Sequence, residues 1–540
     1  MADIYGIDAQ TYRHLPPEDQ AAVREAYEDR LADQRTVDPG AVVDRILDAP
    51  SYETTAALVR ELKDMSPENA QRVLQELERR DPDAWPQVIN TGALNDLQGT
   101  NYPQRGLRVL ADAIALEHAA GRLDNDEISL LFGAGIAGFE RTQANGARML
   151  FGASNSEEMQ AFERAMADYA LDTFAGADRN SASHGTETTT TGVANIITKG
   201  LGSDYSGREA LASAYADTDA GADGVQARSP EERAHIRTLL ADKGSLYDDE
   251  PANPDPLAVL MRGVAEMYGD VEVGGTNLAV EFVNWAGENQ EFFVENGILG
   301  NTTSDPRAEA LGLLTTLHAD AVFADLTDGY ANGDQYAGDD SRKLGFLLSL
   351  TAFNGNNSHA DSVTRSLDRY VDGLVDQVRQ DPASQAAQDP LGRLEIVAPA
   401  LLIAQASPYL GELASNEARV SGILRVLDVV STGAGLIPAG GFAKFLTQTY
   451  GDINGLSDDQ IKNGLRDYLT DAMSGSPEER EAALRDVVSM VEQQIQAEYG
   501  DVPVVAGAMT RRLEDNLYEM LVAIADNDVS GFLNTLNLDR

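Results

Sequence analysis

The sequence predicts a mainly α-helical protein, made of several packed helical subdomains joined by Gly/Asp/Asn-rich loops, with little or no sheet. Helix-start signals recur along the chain, apolar residues follow the helical period, and alternating apolar and polar runs are scarce. A chain of 540 residues with 43% apolar content is long enough to bury several hydrophobic cores.

Pairs in which Asp or Ser precedes Pro predict the helix starts. The side-chain oxygen can accept hydrogen bonds from the first free amides of a helix, and the proline needs no amide partner. Three positions also have capping-box spacing, in which a Glu or Gln follows the capping serine by three residues. The Asp-Pro and Ser-Pro pairs are Asp38-Pro39, Ser66-Pro67, Asp81-Pro82, Ser229-Pro230, Asp255-Pro256, Asp305-Pro306, Asp389-Pro390, Ser407-Pro408 and Ser476-Pro477, and the capping boxes are Ser229 with Glu232, Ser457 with Gln460 and Ser476 with Glu479.

Apolar residues spaced three or four apart predict one buried stripe on each helix. Alternating runs, by contrast, are confined to 271–273 and 502–505, which are too short and isolated to build a sheet. The clearest stripes are Ala70, Val73, Leu74 and Leu77; Val363, Leu367, Val371, Leu374 and Val378; and Leu484, Val488, Val491 and Ile495.

Polar, glycine-rich stretches at 175–192, 217–224 and 328–340 predict loops or hinges, and 381–389 predicts a boundary. The domain organisation that follows has four parts: an N-terminal helical region at 1–176, a polar Ser/Thr/Gly-rich connecting region at 177–228, a central helical domain at 229–380 that contains the acidic loop 325–340, and a C-terminal helical domain at 388–540.

The charge excludes some classes of partner. With 88 acidic and 41 basic residues the net charge is −47, which repels nucleic-acid phosphates and anionic lipid surfaces. The chain contains no cysteine, so disulfides, thiolate catalysis and Cys-ligated metals are excluded. The first eight residues lack the features of a secretory signal, which predicts a protein that is cytoplasmic or exported without a cleavable signal peptide.

Enzyme motifs are weak. Residues 133–138 fit the pattern G-x-G-x-x-G, but no strand is predicted before them, so close helix packing or a turn explains these glycines better than dinucleotide binding. None of the six histidines forms a His-x-x-x-His pair. His318 lies in an otherwise apolar predicted helix, 311–323, and is interpreted as a buried, hydrogen-bonded histidine; His184, in a Ser/Thr-rich stretch, is the most site-like of the six.

The acidic loop is the one local cluster of ligand-type side chains. Hard cations such as calcium need several oxygen ligands from a flexible turn, although this loop does not match an EF-hand. Solvated carboxylates are the alternative interpretation, and no other cofactor is predicted. The candidate calcium ligands are Asp325, Asp328, Asn332, Asp334, Asp339 and Asp340.

The absence of a concentrated catalytic constellation favours a non-enzymatic bacterial protein that acts through protein–protein surfaces, as an effector exported by a signal-less route or as an accessory or structural component. Two alternatives stay open. One is an all-α, carboxylate-dependent hydrolase of muramidase-like type. The other is a toxin whose apolar C-terminal segments, 391–406 and 422–445, insert into membranes. A protein partner is expected; nucleic acid is not, and membrane contact is disfavoured.

Salt dependence of stability follows from the charge alone. We expect the melting temperature to rise with sodium chloride below about 1 M, because screening weakens repulsion among uncompensated carboxylates. Thermal melts at increasing salt measure this effect. A flat or falling curve would mean that favourable ion pairs offset the net repulsion.

Overall fold

The fold is known from a computed structural model and consists of two compact units, Met1–Gly263 and Val264–Arg540. Of the residues that it describes, 86% are helical, which confirms the mainly α prediction. The described residues are 3–4, 7–8, 16, 23, 37–48, 54–80, 104–123, 151, 154, 156–176, 196–203, 205–216, 228–244, 255–273, 276–293, 305–328, 337–352, 357–406, 419–421, 423–424, 440–450, 456–510 and 513–526.

The first part of the N-terminal unit is a small helical bundle preceded by a two-residue antiparallel pairing. Helix α3 packs against α1 and α4, and α2 packs against α4. Val43, Leu58, Val73 and Leu110 are buried in its core. The elements are β1 (Asp3–Ile4), β2 (Ile7–Asp8), α1 (Pro39–Leu47), α2 (Thr54–Leu62), α3 (Pro67–Arg80) and α4 (Gln104–Ala119).

The second part of this unit is organised around a 20-residue helix, α5, which packs against α4, α6 and α7. A π-helical turn, Ile196–Gly200, and a 3₁₀ turn, Leu201–Ser203, lead into α6. The helices are α5 (Glu157–Gly176), α6 (Tyr205–Ala216), α7 (Pro230–Gly244) and α8 (Pro256–Gly263).

The C-terminal unit begins with a π-helical turn, Val264–Tyr268, and a short antiparallel hairpin. Helix α14 packs against α12, α13 and α18, and α17 packs against α15, α16 and α19. The elements after the turn are β3 (Glu272–Val273), β4 (Thr276–Asn277), α9 (Leu278–Glu288), a 3₁₀ turn (Gln290–Phe292), α10 (Pro306–Leu317), α11 (Ala319–Leu326), α12 (Ala337–Thr351), α13 (Ala360–Gln380), a 3₁₀ turn (Gln385–Ala387), α14 (Gln388–Ala406), α15 (Gly440–Tyr450), α16 (Asp458–Ser474), α17 (Pro477–Tyr499), α18 (Pro503–Thr510) and α19 (Leu513–Asp526).

Most predicted helix starts are confirmed. Helices α1, α3, α7, α8, α10 and α17 each begin at the proline of an Asp-Pro or Ser-Pro pair. All three capping boxes form with both reciprocal hydrogen bonds. The pairs at 81–82 and 407–408 lie outside the described residues.

Two local predictions are wrong. The pair Asp389-Pro390 does not start a helix, because α14 begins one residue earlier, at Gln388, directly after a 3₁₀ turn that Ser384 caps. Proline is tolerated there because the first turn of a helix leaves its amides free. The predicted loop 328–340 is also shorter than expected, since α12 begins at Ala337.

The three predicted apolar stripes are all buried, on α3, α13 and α17. Helix formation in this chain therefore follows from its amphipathic pattern together with its caps. Of the segment 271–273, two residues form β3, which pairs with β4, while residues 503–505 form the first turn of α18.

Close packing of α2 and α4 depends on Gly106. A Cβ at this position would collide with the backbone carbonyl of Val59. We expect Gly106→Ala to destabilise the protein by about 1–3 kcal/mol, because two backbones would have to separate. Gly373→Ala on α13 is the matched control: its Cβ would meet nothing within 4 Å, so the better helix propensity of alanine should stabilise by roughly 0.5–1 kcal/mol. Denaturation curves measure both changes, and equal effects would contradict the packing argument.

Candidate functional site

His318 lies at a break between two helices of the C-terminal unit. The segment 311–323 was expected to be one helix, but α10 ends at Leu317 and α11 starts at Ala319, with His318 at φ −121° and ψ 30° between them. The ring is 8% exposed and has two hydrogen-bond partners, which confirms the interpretation of a buried, hydrogen-bonded histidine.

Both ring nitrogens of His318 contact oxygen atoms on the segment that begins the unit. Nδ1 lies 2.8 Å from a carboxylate oxygen of Asp270, and Nε2 lies 2.8 Å from the backbone carbonyl oxygen of Ala265 in the π-helical turn. The Asp270 side chain is 85% exposed, so the pair has one solvent-facing side and one buried side. Since both nitrogens are already engaged, the imidazole has no free position from which to act as a general base.

The backbone around this contact is fixed by local interactions. Gly269 passes so close to the ring that a Cβ there would overlap the imidazole. The Gly269 carbonyl accepts a hydrogen bond from the amide of Ala279 at 3.2 Å, which ties the turn to the start of α9. Asn277 caps α9 by accepting a hydrogen bond from the amide of Val280. The hairpin between Gly269 and α9 therefore brings the start of α9 back beside Gly269. Sequence reasoning missed Gly269 and Asp270, because only the tertiary contact gives them a role.

Arg393 on α14 connects three helices. Its guanidinium donates to the carboxylates of Asp328 at 2.6 Å and Asp389 at 3.0 Å, and to the backbone carbonyl of Ala324 at 2.6 Å. Next to it the hydroxyls of Thr327 and Tyr370 are 2.7 Å apart. Burial alone would lower the pKa of Arg393, but the hydrogen bonds to Tyr370 and Asp389 outweigh it and raise the pKa. The network binds the end of α11 to α13 and α14.

The proposed calcium ligands divide into three groups. Asp325 accepts a hydrogen bond from the Asn284 side chain at 2.7 Å, and Asp328 pairs with Arg393. Asp339 and Asp340 belong to the first turn of α12. Asn332 and Asp334 lie outside the described residues. Within the described part of the chain no three His, Asp or Glu side chains are grouped as metal ligands would be, and the calcium site stays a prediction.

Three carboxylates that have no hydrogen bond or ion pair to any described residue gather where the middle of α13 approaches the end of α17. Burial and the Asp372 carboxylate raise the pKa of both Asp368 and Glu498. The same surroundings, burial first and then Glu498, Asp372 and Asp368, raise the pKa of Tyr499 to about 12. In the sequence, Asp368 and Asp372 are like charges four residues apart on one helix, a pairing that destabilises helices and that could have pointed to this cluster.

Gln494 lies on α17 one turn before Glu498. Its side chain is fully buried, and within the described structure neither Nε2 nor Oε1 has a hydrogen-bond partner. An unpaired buried amide costs about 1–3 kcal/mol. This part of α17 therefore contains a second unfavourable group beside the acidic cluster.

Two buried carboxylates in the N-terminal unit accept hydrogen bonds from neighbouring side chains. Glu117 is 1% exposed and accepts two hydrogen bonds from Arg122 and one from Gln75. Burial acts to raise the pKa of Glu117, but these hydrogen bonds outweigh it and lower the pKa. Glu163 is also 1% exposed and accepts a hydrogen bond from the Ser206 hydroxyl at 2.8 Å. Both carboxylates hold helices together.

The remaining histidines and glycine motifs show no catalytic grouping in the described structure. His118 packs edge-on against Phe162, and His359 lies 4.0 Å from a Glu309 oxygen at the start of α13. His184 and the glycine motif at 133–138 lie outside the described residues.

The predicted membrane-inserting segments have different outcomes. Segment 391–406 lies in α14, where Leu394 and Val397 are buried and Glu395 is 3% exposed. Of segment 422–445, residues 423–424 and 440–445 are described, and the latter begin α15. Among the described residues, no helix is both long enough and apolar enough to cross a bilayer.

Comparison with protein-family models and with curated proteins finds no match for this chain. The function is therefore inferred from its own side chains.

Calcium binding by the acidic loop can be tested with variants that separate metal binding from ion pairing. If the loop binds calcium, we expect calcium to raise the melting temperature at concentrations well below those needed for magnesium, because magnesium demands octahedral geometry and loses water reluctantly. Stabilisation should reach about 2.7 kcal/mol at one hundred times the dissociation constant.

Asp334→Asn should abolish the calcium response in those melts. Asp328→Asn is the control, because it loses the ion pair with Arg393 whether or not metal is present. Equal responses of the unaltered protein to calcium and magnesium would show that the loop is solvated acid.

Proposed function

We propose that this chain is a non-enzymatic helical protein that acts through a protein–protein surface, and that the carboxylates of Asp368, Asp372 and Glu498 bind a basic segment of its partner. The observation that supports this most directly is that three acidic side chains crowd together and that no ion pair joins them to a cation among the described residues, although the same unit pairs its arginines elsewhere. We term Asp368, Asp372 and Glu498 the acidic face.

The raised pKa values of Asp368 and Glu498 show whether these carboxylates stabilise or destabilise the folded protein. A carboxylate whose pKa is raised by folding holds its proton more tightly in the folded than in the unfolded state. At neutral pH the ionised groups of the acidic face therefore reduce stability, and this cost falls as the pH drops through their pKa values. A cation from a partner would remove the same cost without a change in pH.

A partner's lysine or arginine side chain suits this face better than a metal ion. The three carboxylates are not grouped as metal ligands would be, whereas a guanidinium carries several donors that can reach separated acceptors. Phosphate-rich partners are disfavoured by the net charge of −47. An exported effector and an accessory component of an assembly are both compatible with such a surface.

An all-α carboxylate-dependent hydrolase is the second candidate, because a raised carboxyl pKa is what a general acid requires. On this alternative Asp368 or Glu498 would donate a proton to a leaving group. Turnover of peptidoglycan fragments would favour it over the binding proposal.

Binding is tested with a synthetic arginine-rich peptide and two triple variants. We expect Asp368→Asn with Asp372→Asn and Glu498→Gln to weaken binding at least about tenfold, equivalent to about 1.4 kcal/mol. The variant should also melt at a higher temperature at neutral pH, because it removes like-charge repulsion. Isothermal titration calorimetry measures the affinity.

The matched control neutralises three exposed carboxylates on α16, Asp459, Asp467 and Asp471, and so changes the net charge by the same amount. It should bind the peptide almost as well as the unaltered protein. Equal weakening in both triple variants would mean that the peptide responds only to total charge, and the proposal would fail.

A further inference from the structure

The contacts of His318 determine how many protons the site holds. A neutral imidazole has one N–H donor and one acceptor lone pair. Here one nitrogen faces a carboxylate oxygen of Asp270, and the other faces the peptide carbonyl oxygen of Ala265, both at 2.8 Å. A peptide carbonyl cannot donate. With a neutral ring and an ionised Asp270, one of the two contacts would therefore set lone pair against lone pair.

We propose that His318 and Asp270 share one proton more than a neutral imidazole and a carboxylate would hold, and that this proton latches the Gly269–Asp270 turn to the junction of α10 and α11. The same count holds if the proton lies on the ring or on the carboxyl group. This inference concerns a different place in the unit from the acidic face and does not depend on the proposed function.

The two contacts differ in how easily they break. The hydrogen bond from Nε2 to Ala265 is buried, whereas the Asp270 side chain is 85% exposed and can turn into water. Loss of the proton therefore releases the Asp270 contact and leaves the Nε2–H bond to the π-helical turn intact. The turn that leads into β3 is then held by fewer contacts, while the contact of His318 Nε2 with the Ala265 carbonyl remains.

Among the described charged groups around the His318 ring, Asp270 is the one in direct contact. Asp270 provides the one ion pair of His318 within 4.0 Å among the described residues. The elements packed around the junction carry other titratable or charged groups at greater distance. They are Glu266 and Tyr268 on the π-helical turn, Glu272 on β3, Glu281 and Glu288 on α9, Arg307 and Glu309 on α10, Asp320 and Asp325 on α11, Lys343 on α12, His359 directly before α13, and Asp361, Arg365, Asp368, Arg369, Tyr370, Asp372, Asp376 and Arg379 on α13.

The direction of the pH effect follows from the proton count. The folded state holds a proton that an unfolded histidine, which titrates near pH 6.5, releases as the pH rises. The latch therefore contributes stability below that range and loses it as the pH rises through and above it.

Nuclear magnetic resonance of the full chain with ¹⁵N-labelled histidine tests the proton count directly. At about pH 5.5, below the usual histidine range, the His318 resonances, assigned by their loss in His318→Gln, should show protons on both nitrogens or one shared with Asp270. As the pH rises, Nδ1 should lose its proton before Nε2. A ring with a single proton on Nε2 and an Asp270 carboxyl that is fully ionised at the lowest pH would overturn the proposal.

Asp270→Asn provides the second measurement. An asparagine amide can donate to a neutral Nδ1, so the contact no longer needs the extra proton. Between acidic and mildly alkaline pH, the melting temperature of the unaltered protein should fall by about 2–4 °C more than that of Asp270→Asn. Asp320→Asn is the matched control, since it makes the same charge change at an exposed position of α11 and should melt in parallel with the unaltered protein. If Asp270→Asn and Asp320→Asn both follow the unaltered protein at every pH, the latch does not exist.

Discussion

Mutual repulsion among carboxylates constrains every part of this molecule. With more than two acidic residues for each basic one, the chain cannot neutralise its surface, and several of the described arginines join separate elements. Arg80 pairs with Asp44 between α3 and α1, Arg122 holds the buried Glu117, and Arg393 binds Asp328 and Asp389. Isolated surface ion pairs add little stability, but pairs that combine with buried hydrogen bonds fix how helices meet.

The acidic face and the His318 contact are exceptions to this internal pairing. In the acidic face, the carboxylates have no ion pair with a cation in the described part of the chain, and folding raises the pKa of two of them. At His318 two acceptors face one small ring, and the mismatch is resolved by a proton. Groups that reduce stability in the free protein are characteristic of sites where something else binds, whether a partner or a proton.

Helical architecture also explains why the acidic face could be recognised only in part from the sequence. Asp368 and Asp372 share a face of α13 by their spacing, so their repulsion is visible in the sequence. Glu498 joins them only because α17 ends beside α13, more than 100 residues further along the chain. His318 was expected to be buried, but the helix break at this residue and its contacts with Ala265 and Asp270 came from packing against a distant turn.

The sequence alone determined the helical class, most helix starts and the buried stripes, because capping and amphipathic periodicity depend on residues within a few positions of one another. It misplaced the start of α14, where a preceding 3₁₀ turn moved the boundary by one or two residues. Only the tertiary structure decided which charges meet. Asp328, a predicted calcium ligand, pairs with Arg393, 65 residues away in the sequence, because the packed helices bring the two side chains together.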